Sequence, residues 1–411
     1  MQTQFNIDHF ISTCITGRKK SLLTEDFINN NQKLYTSIHN QSVLVIGGAG
    51  TIGSNYIKAL LRFSPKRLYV IDINENGLTE LVRDLRSTTP ISTHHITIPP
   101  DFITYPINFG DRVFEKIFKT IGPFDIVANF AAHKHVRSEK DPFSIEAMIH
   151  NNLLNARKLL DLLSEMPPKH FFCVSTDKAA NPVNIMGASK KLMEELIMTY
   201  SSTIPITTAR FANVAFSNGS LLLGFLERIN KRQPLSCPLD IKRFFVSPIE
   251  SGEICLAASL LGASGDIFFP KLDPQNDLIP FDKIAIELLN HLGLKPYFCT
   301  TEDEAREKAS KLSANPTSYP IYFFESDTSG EKSYEEFFTP QELLDVDSFI
   351  HLGIIKNAKR CTILEIDSLF EQLHTLFSSR TISKASIVEI LSQYLPNFEH
   401  IEKGKHLDQR M

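Results

Sequence analysis

No tryptophan occurs in the 411 residues, and the six cysteines (Cys14, Cys173, Cys237, Cys255, Cys299, Cys361) never form a C-x-x-C pair. Cysteines so far apart supply neither a zinc knuckle nor a disulfide framework, so reduced thiols and a cytoplasmic setting are expected. A surplus of one charge is also missing: 43 Lys and Arg stand against 47 Asp and Glu, a net charge of -4. Such a chain has no broad basic field for a polyphosphate backbone or an anionic membrane, and no nucleic-acid partner is expected. No run approaches the ~18 apolar residues of a membrane span. The first residues, MQTQFNIDHFISTCITGRKK, lack the basic start, apolar stretch and small-residue cleavage site of an export signal, so no membrane association is expected either.

Hydrophobic residues make up 42% of the chain and charged residues 22%, ordinary globular usage. Single cores stop growing near roughly 250 to 300 residues, so two lobes are expected. Residues 1–40 place Phe5, Ile7, Phe10, Ile11, Leu22, Leu23 and Phe27 at spacings that suit short helices packed on a neighbour, an N-terminal helical extension. From residue 42 the runs SVLVI, RLYVI, DIVAN, HFFCVS and ITTARF alternate with helical stretches. Alternation of this kind implies βαβ units and a parallel sheet covered on both faces. The expected architecture is α/β: a Rossmann-type doubly wound parallel sheet over 41–215 and a smaller C-terminal substrate-binding lobe over 216–345 whose strands can return to the sheet. A C-terminal helical segment and tail follow over 346–411. Pro234, Pro238, Pro248, Pro270 and Pro274 punctuate the second lobe, and within it SYEEFF (333–338) reads as helix-like.

SVLVI runs straight into Gly47-Gly-Ala-Gly-Thr-Ile-Gly53 and then the helix pattern SNYIKALLRF. Gly47 permits a tight turn, Gly50 lets backbone N–H groups approach a pyrophosphate, and Gly53 allows close helix–strand packing, the anion sitting on the helix N-terminus. Thr51 and Ile52 belong to the same loop. Asp72 ends the second strand about 20 residues on, where a carboxylate accepts from adenosine ribose hydroxyls. It would repel a 2'-phosphate, and Ile73 follows rather than arginine, so NAD is expected over NADP. The alternative for Asp72 is a cap on the next turn.

Three further segments resemble the capsular polysaccharide-biosynthesis (CapD-like) branch of the extended short-chain dehydrogenases/reductases, which contains UDP-N-acetylglucosamine 4,6-dehydratases. They are Asn129-Phe-Ala-Ala-His-Lys-His-Val136 with Asn152; Val174-Ser-Thr-Asp-Lys-Ala-Ala-Asn-Pro182 with Met186-Gly-Ala-Ser-Lys190; and Arg210-Phe-Ala-Asn-Val214 with Ser217–Ser220, Lys242-Arg-Phe-Phe245 and Glu250. The likeness covers about residues 42–255, with a fainter continuation through Gly330-Glu-Lys332 and Tyr334-Glu-Glu336.

The resemblance implies a reaction on a UDP-sugar without net redox. Hydride leaves carbon 4 for NAD, the ketone acidifies carbon 5, water leaves from carbon 6, and hydride returns there. Carried over residue by residue, Asp177 is the acid, Lys178 the base and Thr176 the partner of the carbon-4 oxygen. Lys190 holds the nicotinamide ribose, and Ala131, Ala132, Lys134 and Ser175 line the cofactor. His135, Asn213, Ser220 and Arg243 contact the substrate, Arg243 as a fork on the diphosphate. The superfamily's Y-x-x-x-K is here Met186-x-x-x-Lys190, so methionine stands where tyrosine would move the carbon-4 proton. His133 stands where tyrosine or leucine is usual, and Ala212 where glycine is.

Several plainer readings stand beside these. Thr176–Lys178 can be a strand-end turn with a local ion pair, Asn213 a strand-end backbone partner and Arg243 a solvated charge. His133 and His135 are read as packing residues, since no third ligand lies at zinc-like spacing, and no metal is expected. A UDP-sugar epimerase would use the same cofactor but normally needs the missing tyrosine. A non-catalytic NAD sensor would have no physical need for Thr176, Asp177, Lys178 and Lys190 together. A homo-oligomer is expected from the resemblance.

Overall fold

Nine strands form the central sheet of the protein, a computed structural model that describes residues 5–87, 96–327 and 329–404. In chain order they are β1 (Ser42–Ile46), β2 (Arg67–Asp72), β3 (Asp101–Pro106), β4 (Ile126–Asn129), β5 (His170–Val174), β6 (Ile206–Ala209), β7 (Ile267–Pro270), β8 (Leu344–Asp345) and β9 (Leu352–Ile355). Their spatial order is β8-β9-β7-β6-β5-β4-β1-β2-β3. All neighbours from β3 to β7 are parallel, and β9 and β8 close the far edge antiparallel. The five apolar runs of the sequence are five of the seven interior strands, buried as parallel strands must be under flanking helices; β7 and β9 are the other two. β3 gave no such run because it is an edge strand whose residues alternate between half-buried and exposed.

Strand order reverses between β1 and β4, and the crevice outside the carboxyl ends of a doubly wound sheet at such a point is where its ligands bind. Over it stands a second core built from Phe216, Leu222, Phe225, Leu235, Phe245, Ile284 and Leu288. Two three-stranded sheets support it, one of strands 213–214, 242–246 and 278–280, the other of strands 235–238, 295–299 and 318–324.

The N-terminal residues stitch the two cores together. Phe10, Ile11 and Ile15 are buried in the second core, whereas Leu34 and Ile38 of the helix Thr24–Ile38 are buried in the first. Between them Arg18 donates through Nε and Nη2 to Glu250 at 2.8 and 2.9 Å and through Nη2 to the Phe245 carbonyl. At the other end, β9 pairs with β7, so residues after 346 supply a sheet strand as well as the helices Ile363–Phe377 and Lys384–Tyr394.

The stretch Ser333–Phe338 is not helical. Two of its carbonyls are claimed from outside, Ser333 O by the Lys242 N–H at 2.8 Å and Phe337 O by Arg210 Nη1 at 3.0 Å, which works against a local ladder.

Candidate active site

The glycine loop closes the carboxyl end of β1 as its composition suggested. Gly47 has φ +76°, and a Cβ there would lie 2.5 Å from the Ala131 nitrogen, so the loop and the end of β4 touch backbone to backbone. A Cβ on Gly53 would meet Gly47 O at 2.3 Å. Gly48, which the pattern did not single out, packs equally tightly, its missing Cβ pointing at Val70 Cγ1 2.3 Å away. Gly50 differs: a Cβ there would have nothing nearer than Gly47 O at 3.5 Å. The protein's own packing does not require a glycine at that helix N-cap; a ligand lying against its backbone would.

Asp72 is half-buried at the end of β2. Its Oδ2 accepts from the Ala49 N–H at 2.9 Å and its Oδ1 from the Asn74 N–H at 2.9 Å. It therefore caps both its own turn and the glycine loop, and each oxygen keeps a lone pair for a ribose hydroxyl.

Opposite lies the segment Asn129–Val136. Buried Asn152 fixes it, accepting from the His133 N–H at 2.9 Å and donating to His133 O and to Ser189 Oγ, both at 3.0 Å. Ala131 and Ala132 are half-buried beside the loop. Lys134 Nζ donates to Asn218 O at 3.2 Å while the Asn218 N–H donates to Thr51 Oγ1 at 3.0 Å, so the 217–220 turn bridges the loop and the 131–136 segment. Solvent reaches Lys134 and His135, yet dense surroundings pull both below their ordinary values, first by desolvation and, for His135, then by the charges of Lys134 and Arg137. That combination is what the wall of an open cleft produces.

Beyond β5 the chain turns sharply through Thr176, Asp177 and Lys178. Asp177 is 3% exposed. Its Oδ1 accepts from Thr176 Oγ1 at 2.8 Å, from the Lys178 N–H at 2.9 Å and from Lys178 Nζ at 3.1 Å. The helix Ile185–Thr199 starts against this turn, capped by Asn184, whose side chain accepts from the Gly187 N–H at 2.7 Å. Gly187 permits the approach, since a Cβ would stand 2.7 Å from Lys178 O.

On that helix Met186 is buried and its N–H donates to Glu139 Oε1. Lys190, one turn on, is also buried and donates to Val174 O at 2.6 Å. Burial pushes the Lys190 ammonium below its ordinary value against the opposing pull of Cys173 and Glu194. Ser175 is spent beneath it, donating to Glu194 at 2.6 Å.

Two residues of the segments that carry the resemblance are structural. Arg210 is fully buried, with its guanidinium on Glu194, Glu342 and the Phe337 carbonyl at 2.8 to 3.0 Å. Glu250 is 1% exposed and takes Arg18, the Leu22 N–H and the Ser247 N–H. Neither has a free group to offer, because a buried charge must be paired inside the fold. Ser220 caps the helix Leu221–Asn230 through its hydroxyl, and half-buried Asn213 opens a two-residue strand paired with Phe245. Arg243 is buried rather than a solvated charge. Its Nη1 donates to Lys242 O, Lys332 O and Ser333 O, and its Nη2 faces Glu335 at 3.9 Å.

Glu335 was missed as a site residue. It is 3% exposed and 3.9 Å from Lys178 Nζ. Its only signal in the sequence was membership of the Gly330–Glu336 stretch.

The model of the family "Polysaccharide biosynthesis protein" matches residues 43–352. The chain is 29% identical over 324 residues to the "Uncharacterized membrane protein MJ1061" of Methanocaldococcus jannaschii, covering 77% of this chain and 86% of that protein. It is 27% identical to the probable polysaccharide biosynthesis protein EpsC of Bacillus subtilis over 82% of the chain but spans only 51% of that relative's length. The inverting UDP-N-acetylglucosamine 4,6-dehydratase of Campylobacter jejuni is 27% identical over 57% of the chain and 68% of its own. A UDP-glucose 4-epimerase of Rickettsia typhi is 28% identical over 56% and 66%. Among solved structures, Pen from Bacillus thuringiensis superposes with a TM-score of 0.62 at 22% identity, covering 88% of this chain and 98% of that one. The dTDP-glucose 4,6-dehydratase DesIV from Streptomyces venezuelae, solved with NAD and TYD, gives 0.52 at 16% identity over 72% and 87%. These two likenesses establish the fold.

Proposed function

Because the chain belongs to the polysaccharide biosynthesis protein family, we propose that it is a nucleotide-sugar 4,6-dehydratase. Its substrate is UDP-N-acetylglucosamine or a related UDP-hexosamine, its cofactor NAD, and its product a 4-keto-6-deoxy sugar for surface polysaccharide or glycan biosynthesis. The observation that carries this reading is the tip of β5, where a buried carboxyl, Asp177, lies 3.1 Å from the amine of Lys178 with the Thr176 hydroxyl beside them.

Elimination needs an acid for the departing hydroxyl and a base for carbon 5. A carboxyl and an amine that share one proton supply both. With the amine neutral, the proton released from the carbon-4 hydroxyl is the one that makes Asp177 a carboxylic acid, so the pair then holds one acid and one base. Thr176 Oγ1, which donates to Asp177 in the resting arrangement, can turn to the carbon-4 oxygen. Met186 carries no proton, so that oxygen's proton falls to Thr176 or Asp177.

The residues fit NAD: Gly47, Gly50, Thr51, Ile52 and Gly53 form a cradle whose open face is at Gly50, Asp72 has lone pairs to spare, and Lys190 stands one turn past Met186. Bound there, NAD would supply the hydride acceptor for carbon 4. Lys134 and His135 line the cleft wall beside the 217–220 turn, and they are the groups we assign to cofactor and substrate respectively. A homo-oligomer and a cytoplasmic setting go with this reading. Among the described residues no helix is long and apolar enough to cross a membrane.

An epimerase reading has a relative to support it. The Asp177–Lys178 pair and the buried methionine in the tyrosine's place favour elimination over it. The deciding experiment incubates the pure protein with NAD and UDP-N-acetylglucosamine and follows the sugar by NMR. We expect a 4-keto-6-deoxy product; a carbon-4 epimer formed without loss of water would overturn the assignment. Lys178→Ala should abolish elimination while still binding NAD, and wild-type turnover by that variant would remove the base from its role.

A further inference from the structure

Lys178 lies between two buried carboxyls, and only one of them has a part in the reaction so far. Asp177 Oδ1 already accepts three donors, two of them from Lys178 itself. With Lys178 Nζ held on Asp177 Oδ1, the amine must leave that oxygen before it can take the carbon-5 proton. The second carboxyl, Glu335, stands 3.9 Å from Lys178 Nζ and 3.9 Å from Arg243 Nη2. Among the described residues its carboxyl forms no hydrogen bond, and these two cations at 3.9 Å are the charges it meets.

The way Glu335 is delivered to this place argues against an accident of packing. Residues 330–336 are pinned on both sides of the site. Asn184 Nδ2 donates to Gly330 O at 2.8 Å, and Lys332 Nζ donates to Asn181 O at 2.7 Å, tying the segment to the turn after β5. Arg243 Nη1 and the Lys242 N–H hold the carbonyls of residues 332 and 333 on the opposite side. Asn181 Nδ2 donates to Glu336 at 2.7 Å and closes the clamp.

We propose that Glu335 is the positioning residue for the base, the carboxyl to which Lys178 turns when it leaves Asp177. The inference rests on the dehydratase reading above. In that reaction the carbon-5 C–H bond breaks, its proton forms an N–H bond on neutral Lys178, and its electron pair expels the carbon-6 oxygen. That oxygen departs as water with the proton of Asp177. The new ammonium needs a counter-charge at the moment it forms, and Glu335 supplies it without reoccupying Asp177. The groups facing Glu335 are Lys178, Asp177, Arg243 and Lys332; burial, helped by Asp177, holds its carboxyl above the ordinary range against the pull of Lys178, Arg243 and Lys332.

The test compares wild type with Glu335→Gln, which keeps the shape and removes the charge, and Glu335→Asp, which keeps the charge and withdraws it by one methylene. NAD binding checks that each variant folds. We expect Glu335→Gln to lower kcat for elimination by about tenfold or more with KM nearly unchanged, and Glu335→Asp to fall between. The deuterium isotope effect on kcat with carbon-5-labelled substrate should rise in Glu335→Gln, because the proton abstraction by Lys178 is the step that slows, and Glu335→Asp should restore part of the rate. Should Glu335→Gln not fold, Glu335→Asp carries both measurements. Unchanged kcat, or a lowered kcat without a larger isotope effect, would overturn the proposal. A wild-type protein inert towards every UDP-hexosamine would instead remove the dehydratase reading and the reaction role of Glu335 with it.

Discussion

The glycine loop offers a sharp contrast between a residue required by the fold and one required by a ligand. At Gly50 the backbone is extended (φ -72°, ψ 162°), which alanine adopts freely, and the nearest atom to an added Cβ is Gly47 O at 3.5 Å. Gly50→Ala should therefore cost only the difference between glycine and alanine as an N-cap, about 0.5 to 1 kcal/mol. The same methyl would stand in front of the helix N–H groups and hold a pyrophosphate off them. Losing one charge-assisted hydrogen bond, about 1.5 to 3 kcal/mol, weakens binding by about tenfold to a hundredfold.

At Gly53 the added Cβ meets Gly47 O at 2.3 Å and Gly48 Cα at 2.8 Å, both main-chain atoms that cannot rotate away. Gly53→Ala should cost about 1 to 3 kcal/mol of stability through overpacking, partly offset by better helix propensity. Urea unfolding of the apo proteins and calorimetric titration with NAD measure the two effects separately. The reasoning fails if Gly50→Ala binds NAD as wild type does, or if Gly53→Ala matches wild type in stability.

Arg210→Met should destabilise the fold by about 3 to 5 kcal/mol, because it strands the buried Glu194 carboxylate, and denaturant midpoints will show it. Glu194 and Glu250 behave alike towards acid. Burial pushes each carboxyl up, but Arg210 on the one and Arg18 on the other outweigh it and hold both below the ordinary carboxylate range. Folded values that lie below the unfolded ones give stability that is present above about pH 4.3 and lost as pH falls through the folded values; unfolding midpoints flat down to about pH 3 would contradict this. Glu250→Gln weakens the grip on Arg18 and should raise hydrogen exchange in the described residues before 40 without changing exchange in β4 and β5, and uniform exchange across the chain would refute the stitching role.

Composition and pattern were enough for the α/β class, five of the seven interior strands, the glycine loop and the position of Thr176, Asp177 and Lys178 at a strand end, because each depends on residues close in sequence. A parallel strand announces itself by an unbroken apolar run and a phosphate loop by glycines at fixed offsets. The sequence pattern does not decide which charges point inward. Arg210 and Glu250 stand in a stretch that resembles substrate contacts, yet tertiary packing closes ion pairs with Glu342 and Arg18, partners 132 and 232 residues away, and removes both from the cleft. β3 and the helix-like SYEEFF were misjudged for related reasons, one an edge strand with a mixed pattern, the other a stretch whose backbone is captured by strand 242–246. Glu335 meets Lys178 only because that capture folds the 330–336 stretch across the tip of β5. A contact between groups so distant along the chain exists only once the sheet and both loops are in place, and no local spacing encodes it.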